Sequence, residues 1–378
     1  MGFDQVTQSA LWQQYREQFP VTEKLIYLNH AAVSPLSKPS AEAMRWLATD
    51  GELYGSLHYD QWMASYESLR LATAAMIGAH RDEIAIVKNT SEGIATIAMG
   101  IAWNPGDRVV VFDEEFPANL YPWQKLEAKG VELRRLSVHD PLERVEEACR
   151  GARLLALSFV QYLSGYRADL TAVGEICRRH NVFYFVDAIQ GMGAFPLDVR
   201  ASHIDALAAD GHKWLTGPEG CGVLYVRREV QEQVEPVEFG WTNVAKYADY
   251  SSRDMSLRSD AGRYEPGTLN TIGIYGLLAA MKLLLDVGIE RIADTVQGLG
   301  DRLAEGAQSK GYEIMGQRTK ATGAGIVTIR KAGVDARMVV KHLRDQGVIA
   351  APRQGWTRLS PHFYISPDEI DRVSTMLP

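Results

Sequence analysis

Two oppositely charged side chains each follow a short apolar run of the sequence. Asp187 ends the run "VFYFVD", and Lys213 stands in "DGHKWLTG", just past another strand-like run. Such a charge is costly to bury without a partner of opposite sign. A lone aspartate here is more often a helix cap and a lone lysine a surface residue, but a lysine held in a pocket is a nucleophile that can capture a carbonyl group. The two charges together predict one pocket that holds both.

A third feature is a predicted anion site. The run "EIAIV" is followed by "KNTSEG", where a helical pattern begins, so the hydroxyls of Thr90 and Ser91 lie near free backbone N–H groups. A helix N-terminus of this kind suits a phosphate. Taken alone, the stretch is better explained by an ordinary Thr or Ser N-cap.

These three features together describe one ligand. It carries a phosphate, a basic ring nitrogen that needs a carboxylate such as Asp187, and a carbonyl that Lys213 can capture. Pyridoxal 5′-phosphate has all three groups. The sequence therefore predicts this cofactor.

The elements that must position these residues follow a repeated rhythm. Short β-branched runs alternate with longer segments of helical period; the runs are "EIAIV", "RVVVF", "VELRRL", "RLLALSFV" and "VFYFVD". This alternation predicts an α/β fold with a mostly parallel sheet that is covered by helices on both faces. Ligands of such sheets collect at the carboxyl ends of the strands, which is where the charged residues stand.

The pattern changes near residue 273. One long helix-like stretch covers residues 273–311, the runs "GIVTIR" and "VIAAPR" follow it, and a last helix opens with a capping box at "SPDE". We therefore expect an N-terminal arm at residues 1–25 that packs on the small domain, a large cofactor-binding domain at 26–272, and a small α+β domain at 273–378.

Composition narrows the class of protein. The chain of 378 residues has 40 basic and 47 acidic side chains and a net charge of −7, which gives no electrostatic reason to expect nucleic acid or an anionic membrane as a partner. No run approaches the roughly 18 apolar residues of a membrane span, and no signal pattern is visible, so we expect a cytoplasmic protein. Its three cysteines fall in no metal-ligand spacing and predict reduced thiols.

The order of these motifs resembles that of a known family. Thr90–Gly93, Asp187–Gln190, Gly211–Lys213 and "YEPGTLNT" occur in the order found in class V aminotransferases of fold type I, and "YLNHAAVSPLS" and "RLSPHFYISPDEID" are also similar to that family. The group includes cysteine desulfurases, selenocysteine lyases and isopenicillin-N-epimerase-like enzymes. The resemblance covers nearly the whole chain and implies a large domain and a smaller C-terminal domain.

The resemblance implies roles around the cofactor ring. Lys213 would form the internal aldimine and then move the α-proton of a bound amino acid. Asp187 would keep the pyridine nitrogen protonated, and Gln190 would hydrogen-bond the ring O3′. Phe116 stands where the family often has a histidine over the ring; it can stack there but cannot relay protons.

Further roles are implied at the phosphate and at the substrate. Thr90, Ser91 and His212 would hold the phosphate. Gly267 and Thr268 resemble residues that reach the phosphate from a neighbouring subunit, which implies a homodimer with shared active sites.

The substrate implied by the resemblance is an α-amino acid. Arg358 matches the arginine that takes the α-carboxylate, a task that suits a planar bidentate donor. Arg353 is a second candidate, and Asn29 in "YLNHAAVSPLS" is a further substrate-binding candidate.

Three departures from cysteine desulfurases limit the predicted reaction. Those enzymes carry a nucleophilic cysteine on a loop of the small domain, where this chain has the shorter "RQGWTRLS", and no cysteine follows Cys221. Asp210 replaces a serine that touches the phosphate, so we expect it to turn away or to orient His212. Gln161 and Tyr162 stand near the position of a substrate-contacting asparagine and resemble the epimerase-like branch.

The predicted function is therefore that of a pyridoxal-phosphate enzyme that forms an external aldimine with an amino acid. Transamination, Cβ–S or Cβ–Se lyase chemistry without a cysteine nucleophile, epimerisation and β-decarboxylation-like cleavage share the first steps, and we rank the first two ahead of epimerisation. An NAD-dependent enzyme is a remote alternative, because no G-x-G-x-x-G turn follows any strand. A regulator that binds the cofactor without catalysis usually adds a helix-turn-helix and a basic surface, and the sequence shows neither.

Overall fold

The computed structural model describes residues 10–378. The strands in these residues are β1 (Ile26–Tyr27), β2 (Ile84–Val87), β3 (Arg108–Phe112), β4 (Glu132–Leu136), β5 (Leu154–Ser158), β6 (Phe183–Asp187), β7 (Ala206–Asp210), β8 (Gly222–Val226), β9 (Glu313–Ile314), β10 (Val327–Arg330), β11 (Val348–Ile349), β12 (Ala351–Arg353) and β13 (Trp356–Leu359). The helices are α1 (Leu11–Tyr15), α2 (Lys38–Tyr54), α3 (Tyr59–Ile77), α4 (Thr90–Gly100), α5 (Tyr121–Lys125), α6 (Leu142–Cys149), α7 (Leu170–His180), α8 (Thr271–Val287), α9 (Ile289–Ser309), α10 (Ala336–Asp345) and α11 (Pro367–Met376).

The large sheet has seven strands in the order β2-β8-β7-β6-β5-β3-β4. Within it β8 runs antiparallel to both of its neighbours, β2 and β7, and the other neighbouring pairs are parallel. The predicted mostly parallel sheet is confirmed, and the five runs named from the sequence form β2 to β6. Continuous apolar runs give such strands because both faces of the sheet are covered.

Each strand supplies side chains to two separate cores. In β5, Leu155 and Leu157 belong to the core shared with α3, α7 and α8, whereas Leu154 and Ala156 belong to the core shared with α4 and α5. Successive side chains of a strand point to opposite faces, so a fully buried strand must be apolar at every position. The polar residues that end these strands therefore stand out against their surroundings.

The C-terminal part of the chain forms a second, antiparallel sheet in the order β12-β13-β10-β9. The predicted run "VIAAPR" divides here into two strands, because β11 pairs with β1 from the N-terminal segment and β12 pairs with β13. The capping box that opens α11 is present, with the Ser366 hydroxyl accepting from the Glu369 N–H and the Glu369 carboxylate accepting from the Ser366 N–H.

The described part of the N-terminal arm contacts this second region. Arg16 pairs with Glu369 at 2.7 Å, and the ring of Phe19 stacks on that of Tyr364 with centroids 3.8 Å apart. The first nine residues of the predicted arm lie outside the described residues. The division into three segments stays a prediction.

The single helix-like stretch expected at residues 273–311 is two helices. Gly288 ends α8 and precedes α9 with φ of +92°, and the helices bend by 84° there. The apolar period continues on both sides of the glycine, so the pattern alone does not show the break. No single helix of residues 10–378 has the length and apolar character needed to cross a membrane, although the bent pair of α8 and α9 meets that test jointly.

Candidate active site

One cavity of about 340 Å³ opens at the carboxyl ends of the central strands. It collects nine of the residues singled out from the sequence, from both sheets: Thr90, Ser91, Phe116, Asp187, Gln190, His212, Lys213, Arg353 and Arg358. Two strand ends of the large sheet supply Asp187 and Asp210, and the β12–β13 hairpin supplies the two arginines. The cavity is thus closed by both regions of the chain.

Lys213 and Asp187 form the charged centre of this cavity. Burial lowers the pKa of the Lys213 ammonium to about 8, while the charge of Asp187 raises it less strongly. Burial raises the pKa of Asp187 to about 6, and the N–H of Ile189, which donates to Oδ1 at 3.0 Å, lowers it in part. A lysine with a lowered pKa in a cleft is a candidate nucleophile and proton carrier.

The N-terminus of α4 faces the same cavity. Asn89 is its N-cap, because its side chain accepts from the N–H of Glu92 at 2.9 Å. The ordinary Thr or Ser N-cap that the sequence left open is therefore wrong. The Thr90 hydroxyl oxygen is buried and has no hydrogen-bond partner, so its donor is left for a ligand at the helix N-terminus.

His212 lies beside the residue that the sequence explained least. Its Nδ1 is 3.1 Å from Oδ1 of Asp210, yet the two groups are not aligned as a hydrogen bond, and both atoms are buried without another partner. Asp210 therefore faces His212, one of the two alternatives expected from the sequence.

Gln190 is held at both ends of its amide. Its Nε2 donates to the Ala31 carbonyl at 3.0 Å, and its Oε1 accepts from the indole N–H of Trp214 at 2.9 Å. Trp214 directly follows Lys213, so this bond fixes the lysine segment to the segment after Asp187. One amide hydrogen of Gln190 stays available to the cavity.

The outer wall of the cavity is aromatic. The ring of Phe116 packs edge to face on that of Tyr162, with centroids 5.2 Å apart, and Lys213 Nζ lies 5.8 Å from the centre of the Phe116 ring. The Tyr162 hydroxyl accepts from Nε2 of Gln354 at 2.8 Å. A flat ring ligand could stack here, but a phenylalanine cannot transfer a proton to it.

Two arginines of the β12–β13 hairpin line the cavity. Arg358 is 2% exposed and donates to the Tyr162 carbonyl at 2.6 Å, while its Nε has no partner. Burial lowers the pKa of Arg358 to about 10, and the charge of Arg353 lowers it further. Arg353 donates to the Pro352 carbonyl at 2.9 Å. In residues 10–378 neither arginine has a carboxylate within ion-pair distance.

Three predicted residues lie outside this cavity. Asn29 forms a bridge with Ser360 and keeps a buried, unpartnered Oδ1, but it does not line the cavity wall. Gly267 and Thr268 line a separate cavity of about 370 Å³, together with Lys88 and Glu238. Within one chain these two residues do not meet Lys213.

Two supporting residues were missed by the sequence reasoning. Glu115 is buried and accepts from the Ser158 N–H at 2.7 Å and from the Gln161 amide at 3.1 Å, and burial raises its pKa to about 7. His362 donates from Nε2 to the Trp214 carbonyl at 3.0 Å and thereby joins the small sheet to the lysine segment. Only the motif "SPHFY" pointed toward His362, and no local pattern pointed to Glu115.

The cysteines lie away from the cavity. Cys149, Cys177 and Cys221 are free and buried, and none of them lines the cavity that holds Lys213. Burial raises the pKa of Cys221 well above its usual value. A thiol with a raised pKa and no access to solvent is a poor nucleophile.

The donors in the cavity fit the cofactor predicted from the sequence. The unpartnered hydroxyl of Thr90 lies at the helix N-terminus where an anion would bind, and Asp187 and Lys213 supply a carboxylate and an amine to the same cavity. The unsatisfied buried atoms are the feature that needs a ligand, since buried polar groups are nearly always paired.

Comparison with known proteins gives one consistent result. A family model described as Aminotransferase class-V matches residues 26–362. A probable cysteine desulfurase of Pyrococcus abyssi is 30% identical over 380 residues, with 94% of each chain covered. An uncharacterized aminotransferase of Bacillus subtilis is 31% identical over 362 residues, with 95% of each covered.

Solved structures agree with the sequence relatives. The apo structure of a cysteine desulfurase from Thermococcus onnurineus matches with a TM-score of 0.89 and 28% identity, and 96% of each chain is covered. The matched range of residues 26–362 includes every residue that lines the cavity.

Proposed function

The chain belongs to the class V aminotransferase family and is a pyridoxal-phosphate-dependent enzyme, and from this premise we propose that it breaks a bond at Cα or Cβ of an α-amino acid. The proposed reactions are transamination or Cβ–S or Cβ–Se lyase chemistry that uses no thiol of the chain. The observation that carries the proposal is the cavity that Lys213, the carboxylate of Asp187 and the guanidinium of Arg358 line together.

Four groups of the chain would hold the cofactor. When bound, pyridoxal phosphate supplies an electron sink for the pair that is released at the substrate Cα. Lys213 Nζ would hold it covalently, and Asp187 would keep a proton on its ring nitrogen. Thr90 Oγ1 would donate to its phosphate, and the imidazole of His212 would lie beside that phosphate.

Lys213 is also the proposed proton carrier. Its pKa of about 8 leaves a usable fraction of neutral amine at neutral pH, so Nζ can accept the proton from Cα and return it elsewhere. Arg358 would hold the substrate carboxylate, because its guanidinium is anchored by the Tyr162 carbonyl and keeps further donors free.

The cysteines support the form of the proposal that needs no chain thiol. Some similar proteins are named cysteine desulfurases, so we asked whether this chain could have the same activity. Its three cysteines are buried away from the cavity. A sulfur or selenium product would therefore leave on a small molecule rather than on a persulfide of the chain.

Epimerisation is less well supported. A one-base enzyme protonates Cα on the face from which it removed the proton, and inversion needs a second proton donor on the other side. Phe116 lines the cavity beside Lys213, and its ring has no proton to give.

We also propose that the enzyme is a cytoplasmic homodimer. Gly267 and Thr268 lie away from Lys213 of their own chain, as expected for residues that complete the phosphate site of a second copy. Large apolar side chains are exposed on the segment before them: Phe239, Trp241, Tyr250 and Met255. Sedimentation of the purified protein tests this, and a monomer that binds cofactor with full affinity would contradict the shared site.

The central experiment traps the lysine. Wild-type protein loaded with pyridoxal phosphate and reduced with borohydride should carry the cofactor on the Lys213 peptide in mass spectrometry. Lys213→Ala should lose this label, and Lys282→Ala, which removes an exposed lysine of α8, should keep it. A wild-type protein with no visible absorbance and no labelled lysine would refute the proposal.

An amino-acid panel separates the reactions. Pyruvate with sulfide or selenide indicates a lyase, conversion of the cofactor to its amine form indicates a transaminase, and solvent deuterium at Cα without net consumption indicates an epimerase. The third outcome would reject the reaction that we rank first.

A further inference from the structure

The substrate side of the cavity carries more positive charge than a single substrate carboxylate would neutralise. Arg353 and Arg358 both line it, and within residues 10–378 neither has a carboxylate partner at ion-pair distance. The two acids of the lining are committed elsewhere, since Asp187 faces Lys213 and Asp210 faces His212. Two unpaired guanidinium groups in one enclosed space are costly unless a ligand supplies negative charge.

The two arginines are not held in the same way. Arg358 is buried on β13 and fixed by the Tyr162 carbonyl, so it is the preorganised partner for the α-carboxylate. Arg353, at the end of β12, is half-buried and bonds to the Pro352 carbonyl of its own strand. One bond leaves most of its five donors free to face a second group.

The turn that follows Arg353 keeps it over the cavity. Gln354 and Gly355 both have positive φ, at +48° and +80°, and close the two-residue turn between β12 and β13. The Gln354 side chain is bonded to the Tyr162 hydroxyl at 2.8 Å, so the turn is tied to the opposite wall. The short tied turn therefore fixes the backbone position from which the Arg353 side chain reaches the cavity.

We infer that Arg353 binds an acidic group on the substrate side chain, so that the enzyme acts on an α-amino acid with a short acidic side chain. This inference rests on the proposed function of the same cavity. About 340 Å³ must contain the cofactor as well as the substrate, which leaves room for a short chain. A carboxylate on Cβ or Cγ matches both the charge and the space. Such a substrate has no Cβ–S or Cβ–Se bond, so of the proposed reactions the inference favours transamination.

Matched substrates test the inference without relying on turnover. Holoenzyme is titrated with L-aspartate, L-asparagine, L-glutamate, L-glutamine and L-alanine, and the change in visible absorbance of the bound cofactor gives each dissociation constant. We expect at least one acid to bind roughly tenfold or more tightly than its own amide, because a charge-assisted bond replaces a neutral one.

Two variants assign the preference to Arg353. In Arg353→Gln the affinity for each acid, relative to the affinity for its amide, should fall close to one. In Arg353→Lys part of the preference for the acid should remain, because the charge is kept and the bidentate geometry is lost. Arg337→Gln removes the same charge from an exposed position of α10 and should keep the wild-type ratio.

The outcomes separate the inference from the function on which it rests. If each acid and its amide bind equally to wild type, or if Arg353→Gln keeps the wild-type preference, the inference is wrong while amino-acid binding stands. If no amino acid changes the absorbance of a cofactor-loaded protein, the proposed function itself fails. Should Arg353→Gln not fold, the ratios of acid to amide affinity in wild type and in Arg353→Lys still test the inference.

Discussion

The two edges of the large sheet use charged residues in opposite ways. At the edge where the parallel strands begin, acids and bases are paired: Asp205 with Arg227 at 2.6 Å, Glu83 with Arg200 at 2.7 Å and Asp107 with Arg153 at 2.6 Å. These three acids also accept backbone N–H bonds, from Tyr184, His80 and Asn104 respectively. The edge where the strands end holds atoms without partners.

Several buried polar atoms beside the cavity at the carboxyl edge have no hydrogen bond. At the carboxyl edge, Thr90 Oγ1, Asp210 Oδ1 and His212 Nδ1 are buried without hydrogen bonds. The carboxylates at the amino edge are thus satisfied by ion pairs and backbone N–H groups, whereas the Thr90 hydroxyl at the carboxyl edge is left without a partner. Substitutions at the carboxyl edge should therefore change cofactor and substrate chemistry, whereas those at the amino edge should change stability.

The largest effect should come from Asp187→Asn. The amide can still accept from the Ile189 N–H but cannot keep the cofactor ring nitrogen protonated. We expect the exchange of the substrate α-proton with deuterated solvent to slow by roughly a thousandfold, with little change in the unfolding midpoint. Asp345→Asn, at an exposed helix end, is the control. Exchange at the wild-type rate would show that the carboxylate is dispensable.

A second effect concerns the pH dependence of stability in cofactor-free protein. The folded pKa of Lys213 is lowered to about 8, so below that pH the folded state carries the full cost of a buried ammonium. As pH rises from about 8 to about 10.5, the folded amine loses its proton before the unfolded one, and wild type gains stability. We expect the stability advantage of Lys213→Met to shrink by about 3 kcal/mol over this window.

Denaturant titrations at several pH values measure this change. Lys282→Met, at an exposed position of α8, should show no such window. If the stability advantage of Lys213→Met over wild type is constant from pH 7 to 10.5, Lys213 is not a buried ammonium. The carboxyl edge would then not carry the unfavourable charge described here.

At the opposite edge, Glu83→Ala should cost stability instead. Glu83 is 1% exposed and accepts from Arg200, from the His80 N–H and from the Arg228 N–H at 3.1 Å. We expect a loss of about 2 kcal/mol in the free energy of unfolding, with unchanged turnover per folded molecule. Glu132→Ala, which breaks an exposed pair with Arg108, should cost far less. A lower turnover rate of folded Glu83→Ala protein would contradict the assignment of the amino edge to stability alone.

The smallest effect separates two threonines of α4. Thr90→Val removes the unpartnered hydroxyl and should weaken pyridoxal-phosphate binding by roughly tenfold without lowering apo stability. Thr96→Val removes a hydroxyl that donates to the Glu92 carbonyl at 2.9 Å and should leave cofactor affinity nearly unchanged. Fluorescence titration with cofactor measures both. Equal affinities of the two variants would remove Thr90 from the phosphate site.

Much of the fold could be predicted because the strands are continuous apolar runs that end in polar residues. Asp187 and Lys213 were found by the same signal, since each stands at or just past the end of such a run. The bond from Arg358 to the Tyr162 carbonyl joins residues 196 apart in the sequence, and no local pattern contains it. Asn89 was passed over as a cap because its neighbours Thr90 and Ser91 are equally good capping residues.

The supporting residues of the site were the hardest to predict. Glu115 reads as one of three consecutive surface acids, and its burial follows only from the position of β5 beside it. The role of Trp214 as a donor to Gln190 depends on how two strand ends meet. Such contacts are products of tertiary packing, and sequence spacing carries no trace of them.

The number of residues that link α8 to α9 is as important as their identity, because Gly288 alone separates the two helices. It joins α8, which packs on α2 and α3, directly to α9, which packs on α11 and β10. One residue inserted within the first turn of α9 would turn the rest of that helix by about 100° and shift it by about 1.5 Å. Thr328 of β10 pairs with Arg358 of β13, so the position of Arg358 depends on how α9 packs against β10. Insertions or deletions near Gly288 should therefore be tolerated least.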